Sequence, residues 1–254
     1  MKGPTVALPD LVLVHGGEHA GDCWDLVVAE LRRQEPELRT LAVDLPGRGR
    51  TPGDLATATI DEWVDSVVAD IERERLGDIV IAGHSMAGVT VPGVVAKLGS
   101  ARVREMVLVT AFVPRQGQAI VDTLGGPLAA FARFAARGGR PFKIPRLAAE
   151  YAFCNGMTKH QRRLTISRLY TEAARIPGEP VDRSGFPDDV PRTWVLTTRD
   201  RALSQKSQQA SMAALGGVQE VIPIEACHDV MFSHPEQLAR ILLERCRLRG
   251  GRVG

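Results

Sequence analysis

The stretch from Asp78 to Gly88, DIVIAGHSMAG, restricts the fold more than any other part of the chain. Ile79–Ala82 is a short β-branched apolar run of the kind that makes a strand buried on both faces, and Val89–Leu98 behind it keeps helical spacing despite Pro92. Ser85 therefore falls in a strand-to-helix turn, with small residues at Gly83 and Ala87 that let the backbone through a tight bend. Such a turn sets the serine oxygen at the carboxyl edge of a sheet with a helix N-terminus beneath it. The common form of this elbow is G-x-S-x-G; here Ala87 stands where the last glycine usually does, and Gly88 comes one place late. The Ala87 methyl is expected to fit only if strand and helix stand slightly apart.

Similar apolar runs recur at Leu11–His15, Thr40–Asp44, Met106–Thr110, Thr193–Thr197 and Glu220–Ile224, with helical patterns between them. That alternation predicts βαβ units and a mostly parallel six-stranded sheet flanked by helices. Trp24, Val27, Val28 and Leu31 mark one covering helix, and Ile60, Trp63, Val64, Val67, Val68 and Ile71 another. Thr59 with Glu62, and Ser233 with Glu236, read as capping boxes.

The interval between the fourth and fifth predicted strands breaks the rhythm. It is too long for an unstructured loop, it carries Gly/Pro clusters at Gly125–Pro127, Gly138–Pro141 and Pro177–Pro180, and it shows helical patches over Leu128–Ala136, Ile144–Phe153 and Lys159–Ala174. A helical cap over 112–184, inserted into a core of 1–111 and 185–254, is the expectation. Net charge is only +2, which argues against a nucleic-acid partner, yet the cap interval holds twelve Lys and Arg against five Asp and Glu. No apolar run is long enough for a bilayer, and the start has no signal-peptide pattern, so a cytoplasmic protein with no membrane partner is expected. The four cysteines lack metal or disulfide spacing and are expected to be reduced thiols. The tail from Cys246 to Gly254 is expected to fray. A homodimer stays open.

A serine hydroxyl needs a base within hydrogen-bond reach, and the base needs a third group to hold its tautomer. Two further strand ends deliver one such group each: Asp200 follows WVLTT, and His228 follows EVIPIEAC. The order Ser85, Asp200, His228 is the serine, acid, histidine order of this architecture. His84, next to Ser85, leaves the strand on the opposite face and is read as a packed neighbour. Asp122 is a weaker candidate acid, because it lies well beyond its strand. The first strand ends in His15-Gly16-Gly17, a loop able to present a backbone N–H beside the elbow, and His15 is read as its buttress. Gly16 and His19 are expected to face substrate, and Phe112, Phe131, Tyr151, Phe153, Met157, Leu203 and Met231 are candidates for an apolar pocket.

With its HG loop followed by Trp24, its elbow, the Arg199–Leu203 run RDRAL and the 28-residue step from Asp200 to His228, the chain resembles the α/β-hydrolase superfamily. More narrowly, it looks like the small cap-bearing esterases related to plant methylesterases and hydroxynitrile lyases. The resemblance implies that Ser85 attacks, His228 shuttles the proton, Asp200 orients His228, and the backbone N–H groups of Gly17 and Met86 form an oxyanion hole. It implies hydrolysis of a carboxylic ester or lactone of a small hydrophobic metabolite, aromatic or anionic, with no metal and no cofactor. Two alternatives use the same fold: a pocket that binds or cyclises a metabolite, and hydroxynitrile-lyase-like C–C cleavage. In the lyases a lysine follows the base histidine to stabilise cyanide, whereas here the position is Asp229.

Overall fold

The computed structural model describes residues 6–124, 133 and 139–252. Short strand β1 (Val6–Ala7) precedes β2 (Asp10–Val14), α1 (Asp25–Gln34), β3 (Thr40–Ala42), α2 (Ile60–Arg73), β4 (Ile79–His84), α3 (Val91–Leu98) and β5 (Val103–Val109). The long interval that follows holds α4 (Ile120–Thr123), α5 (Arg146–Phe153) and α6 (Lys159–Ser167). It is followed by β6 (Arg192–Thr197), α7 (Gln205–Ala214), β7 (Glu220–Ile224), α8 (Val230–Ser233), α9 (Pro235–Arg249) and β8 (Gly251–Arg252). The helical patch expected over Leu128–Ala136, with Phe131 and the Gly125–Pro127 cluster, lies outside the described residues apart from Arg133.

Six strands form one sheet in the order β3-β2-β4-β5-β6-β7, every neighbouring pair parallel. Successive side chains of a strand leave on opposite faces. Val12 and Ile81 join the core covered by Trp63 and Val67 of α2 and Val94 of α3, while Leu11 and Val80 join the core covered by Val27 of α1 and Leu238 and Leu242 of α9. The register pairs Val14 with Gly83, His84 with Val109, and Thr197 with Ile224. Parallel direction and matched ends bring the loops after β2, β4, β5, β6 and β7 to a single rim.

Several expectations are corrected. The tail does not fray at Cys246: α9 runs to Arg249, Cys246 is buried, and β8 pairs antiparallel with β1. Ser233 closes α8 and makes no cap to α9, which starts on Pro235. Thr59 caps α2 by accepting the Glu62 N–H, but the Glu62 side chain makes no return bond to the Thr59 N–H, so the box is only half made; the neighbouring Ile60 N–H goes to Glu179 from the interval between β5 and β6. Helix α6 stops at Ser167, short of the Ala174 expected, and Glu172 beyond it pairs its backbone with Phe142, N–H to carbonyl at 2.6 and 3.1 Å. The four cysteines are free and buried, and burial raises the Cys154 thiol to about 12 and the Cys227 thiol to about 11. Among the described residues no helix is long and apolar enough to cross a membrane.

Candidate active site

Ser85 follows the end of β4 in the left-handed region, φ 53°, a conformation a serine adopts only when its surroundings enforce it. Three glycines allow that bend. A Cβ on Gly16 would sit 2.7 Å from the Ser85 Cβ, one on Gly83 would meet the Val91 side chain at 2.7 Å, and one on Gly88 would lie 2.3 Å from the Phe112 carbonyl oxygen. The late glycine thus admits the chain after β5, whose Phe112 N–H donates to the Ser85 carbonyl at 2.9 Å. The Ala87 methyl fits for a different reason than strand–helix separation. It packs into the space Gly83 leaves empty, where an added Cβ would come within 3.1 Å of it.

From the ends of three strands the structure brings Ser85, His228 and Asp200 together. The Ser85 hydroxyl lies 2.8 Å from His228 Nε2, and His228 Nδ1 lies 2.7 Å from Asp200 Oδ2. Asp200 also accepts from the Thr110 and Thr197 hydroxyls on Oδ2 and from the Ala202 and Leu203 N–H groups on Oδ1. Burial works against its charge, but His228 and these donors prevail and hold its carboxyl below the ordinary range. Burial likewise opposes charge on His228; Asp200 outweighs it and raises the imidazole above 6.5. Gln208 on α7 is fully buried and steadies the acid's loop, donating to the Thr197 and Leu203 carbonyls at 2.9 and 3.0 Å.

His84 is the packed neighbour expected. Its Nε2 donates to the His228 carbonyl at 3.0 Å, and burial followed by the nearby His228 lowers its pKa to about 3, so it stays neutral. His15 bridges Gly16 and β3's end, Nδ1 donating to the Gly16 carbonyl at 2.8 Å and Nε2 accepting from the Leu45 N–H at 3.1 Å. Asp229, buried, faces His19 Nε2 at 3.2 Å; burial opposes charge on both, yet each favours the charged form of the other, raising the His19 imidazole and lowering the Asp229 carboxyl. Asp122 accepts from the Ala119 N–H and takes no part in the cluster.

Ser85 and His228 open on a cavity of about 100 Å³ whose wall includes Gly17, His19, Met86, Phe112, Phe142 and Phe153. Phe153 stacks on the His228 ring at 5.4 Å between centroids. Gly16, Tyr151, Leu203 and Met231, expected on the wall, are not part of it. Gly16 lies under Ser85, Leu203 and Met231 are buried in the two cores, and Tyr151 is 65% exposed with Arg201 over its ring at 4.8 Å. Met157 is buried in a core rather than on the wall.

Three charged residues went unread in the sequence: Glu18, Glu172 and Arg48. Both glutamates line the cavity. Arg48, from the glycine-rich turn after β3, hydrogen-bonds Glu172 Oε1, while Glu172 Oε2 accepts from the Glu18 N–H at 2.6 Å. Glu18 accepts the Ile144 N–H on Oε1. The available signals were an acid inside the turn HGGEH and a lone acid, Glu172, in a basic stretch.

Residues 11–241 match the alpha/beta hydrolase family. Among curated relatives, a carbendazim hydrolyzing esterase of Nocardioides sp. is 30% identical over 46% of this chain, an alignment that spans about half, 48%, of that protein. Methylesterase 18 of Arabidopsis thaliana is 22% identical, covering 92% of this chain and 95% of its own. Among solved structures, an extracellular alpha/beta-hydrolase from a Paenibacillus species, described as homologous to tobacco salicylic acid binding protein 2, superposes with a TM-score of 0.84. It is 22% identical, with 94% of this chain and 99% of that one covered. The Arabidopsis methylesterase MES16 superposes at 0.74, covering 95% and 100%, with 17% identity. Strand order, rim and the match over 11–241 agree, and the chain belongs to the alpha/beta hydrolase family.

Proposed function

We propose that this protein hydrolyses small, neutral, hydrophobic carboxylic esters through an acyl-enzyme on Ser85. His228 Nε2 takes the Ser85 proton as Oγ attacks the ester carbonyl. Asp200, accepting from Nδ1–H, keeps the ring in the tautomer that leaves Nε2 free and stabilises the imidazolium that forms. The N–H groups of Gly17 and Met86 receive the developing oxyanion, where a single donor is worth roughly 3 kcal/mol of transition-state stabilisation. His228 then returns the proton to the leaving alcohol, and a water activated by the same ring releases the acid. Residues 112–184 act as the cap, supplying Phe112, Phe142 and Phe153 to the wall.

The observation that carries this reading is the relay of 2.8 and 2.7 Å ending on an apolar cavity. Relatives named as esterases and hydrolases support the reaction type. A cavity of about 100 Å³ favours short acyl and alcohol groups. An anionic substrate loses its motive, because among the described residues the charged side chains on the wall besides histidine are Glu18 and Glu172, and no Lys or Arg of the basic interval joins them. The test is a fluorophosphonate probe with peptide mapping, beside an ester panel run on the protein and on Ser85→Ala. Labelling confined to Ser85, with turnover lost in the variant, supports the proposal; equal turnover in both refutes it.

A further inference from the structure

Glu18 carries one carboxylate oxygen without a function in the relay. Its backbone is in the left-handed region, φ 55°, and the residue, 2% exposed, lies on the cavity wall. Oε1 is occupied by the Ile144 N–H, but Oε2 is buried with no hydrogen-bond partner among the described residues. A buried acceptor left open is costly, and a site that keeps one discriminates between ligands by whether they fill it. Both oxygens of the neighbouring Glu172 are taken: Arg48 pairs with its Oε1, and its Oε2 accepts the Glu18 N–H.

We propose that Glu18 Oε2 is the specificity-determining acceptor of the pocket, selecting esters that carry an N–H or O–H donor over isosteric esters that carry none. This rests on the ester-hydrolase reading for the identity of the pocket but not for its binding preference. A donor at this point supplies a bond that the loop withholds, on a wall it shares with Glu172 and with the aromatic rings of Phe112, Phe142 and Phe153. The groups facing Glu18 are the Ile144 N–H, Glu172, His19 and Lys143. Burial, with Glu172 adding to it against the opposing Ile144 N–H, raises the Glu18 carboxyl to about 7. Below that pH the proton sits on Oε2, the oxygen not held by Ile144, and the group turns from acceptor to donor.

The probes are methyl pyrrole-3-carboxylate, whose ring N–H only donates, and methyl thiophene-3-carboxylate, similar in shape with no donor. Binding is measured by calorimetry in the Ser85→Ala protein, so that the result is independent of turnover. Above pH 7 the pyrrole ester should bind roughly tenfold tighter than the thiophene ester. In Ser85→Ala with Glu18→Gln the preference should vanish or invert, because the amide oxygen keeps the Ile144 N–H and the NH₂ takes the place of Oε2. Should that variant fail to fold, the pH series on Ser85→Ala alone decides: the preference must fall as pH drops through about 7. A preference unmoved by Glu18→Gln, or by pH where that variant is lost, overturns the inference. Turnover of both esters by the intact protein, with no difference in their binding, overturns it while leaving the hydrolase reading in place. A Glu18-dependent preference without any turnover does the reverse.

Discussion

Asp200 receives five hydrogen bonds, and only one comes from His228. The other four fix the carboxylate before the imidazole arrives, which suits the role proposed for it, setting a tautomer and not accepting a proton. Asp200→Asn is expected to keep the fold and to lower kcat by on the order of 10³–10⁴, because an amide favours the tautomer with Nε2 protonated. Steady-state kinetics against the native protein measures it, with circular dichroism confirming the fold; a loss under tenfold would rule Asp200 out as the orienting group. His228 supplies a second prediction. Its pKa is raised, burial being outweighed by Asp200, and the base works only when neutral. Activity should therefore be full well above the raised value, fall as pH drops through it, and show an acidic limb centred above 6.5 in kcat/KM. His84, at about 3, stays neutral throughout that window and adds nothing to the limb, whereas Glu18, at about 7, titrates beside it. An acidic limb centred below 6.5 would contradict the assignment.

At the level of elements, the last helix does more than cover one face of the sheet. Glu105 lies fully buried in β5, where it accepts from the Thr193 hydroxyl and from Arg249 Nε at 2.7 Å, with Arg245 Nε 3.4 Å away. A charged residue in the middle of a strand is why the sequence started that strand at Met106 and missed Val103–Glu105. The partners lie about 140 residues further on, in a stretch whose Arg/Gly composition looks like a frayed end. Composition reports the average behaviour of such a tail, whereas one buried carboxylate decides this case. Removing residues 245–254 strands Glu105 without a cation and should cost about 3–5 kcal/mol, read as a lower midpoint in urea. Adding Glu105→Gln to the truncated chain should recover part of the loss, since the amide needs no counter-ion. If the truncation alone leaves the midpoint unchanged, Glu105 is not held by α9.

Across the whole molecule, topology was legible because it depends on periodicity: β-branched runs, helical spacing and an elbow are local patterns that admit one parallel arrangement. The relay was legible for the same reason, each member standing at a strand end. The cavity wall was not. Tyr151 and Phe153 are two places apart on α5, about 200° around a helix, so only one can turn inward; Phe153 does, and Tyr151 meets Arg201 outside. Charge behaved likewise. The interval from Phe112 to Ser184 is basic in composition, yet none of its described cations lines the cavity, and several are engaged elsewhere: Arg168 with Asp25, Arg146 with Glu150, Lys143 with the Leu169 carbonyl. Exposed cations of this kind act on a ligand only within a Debye length and lose that influence as salt rises, whereas Glu18 and Glu172 stand on the wall itself. Raising ionic strength from about 0.05 to about 0.5 M should leave turnover of a neutral ester unchanged. An anionic ester of the same shape should be the poorer substrate at every salt concentration, and added salt should not worsen it, because the repulsion comes from the wall and the described cations of the interval stand off it. Faster turnover of the anion at low salt, declining as salt is added, would mean that the basic interval steers substrate after all.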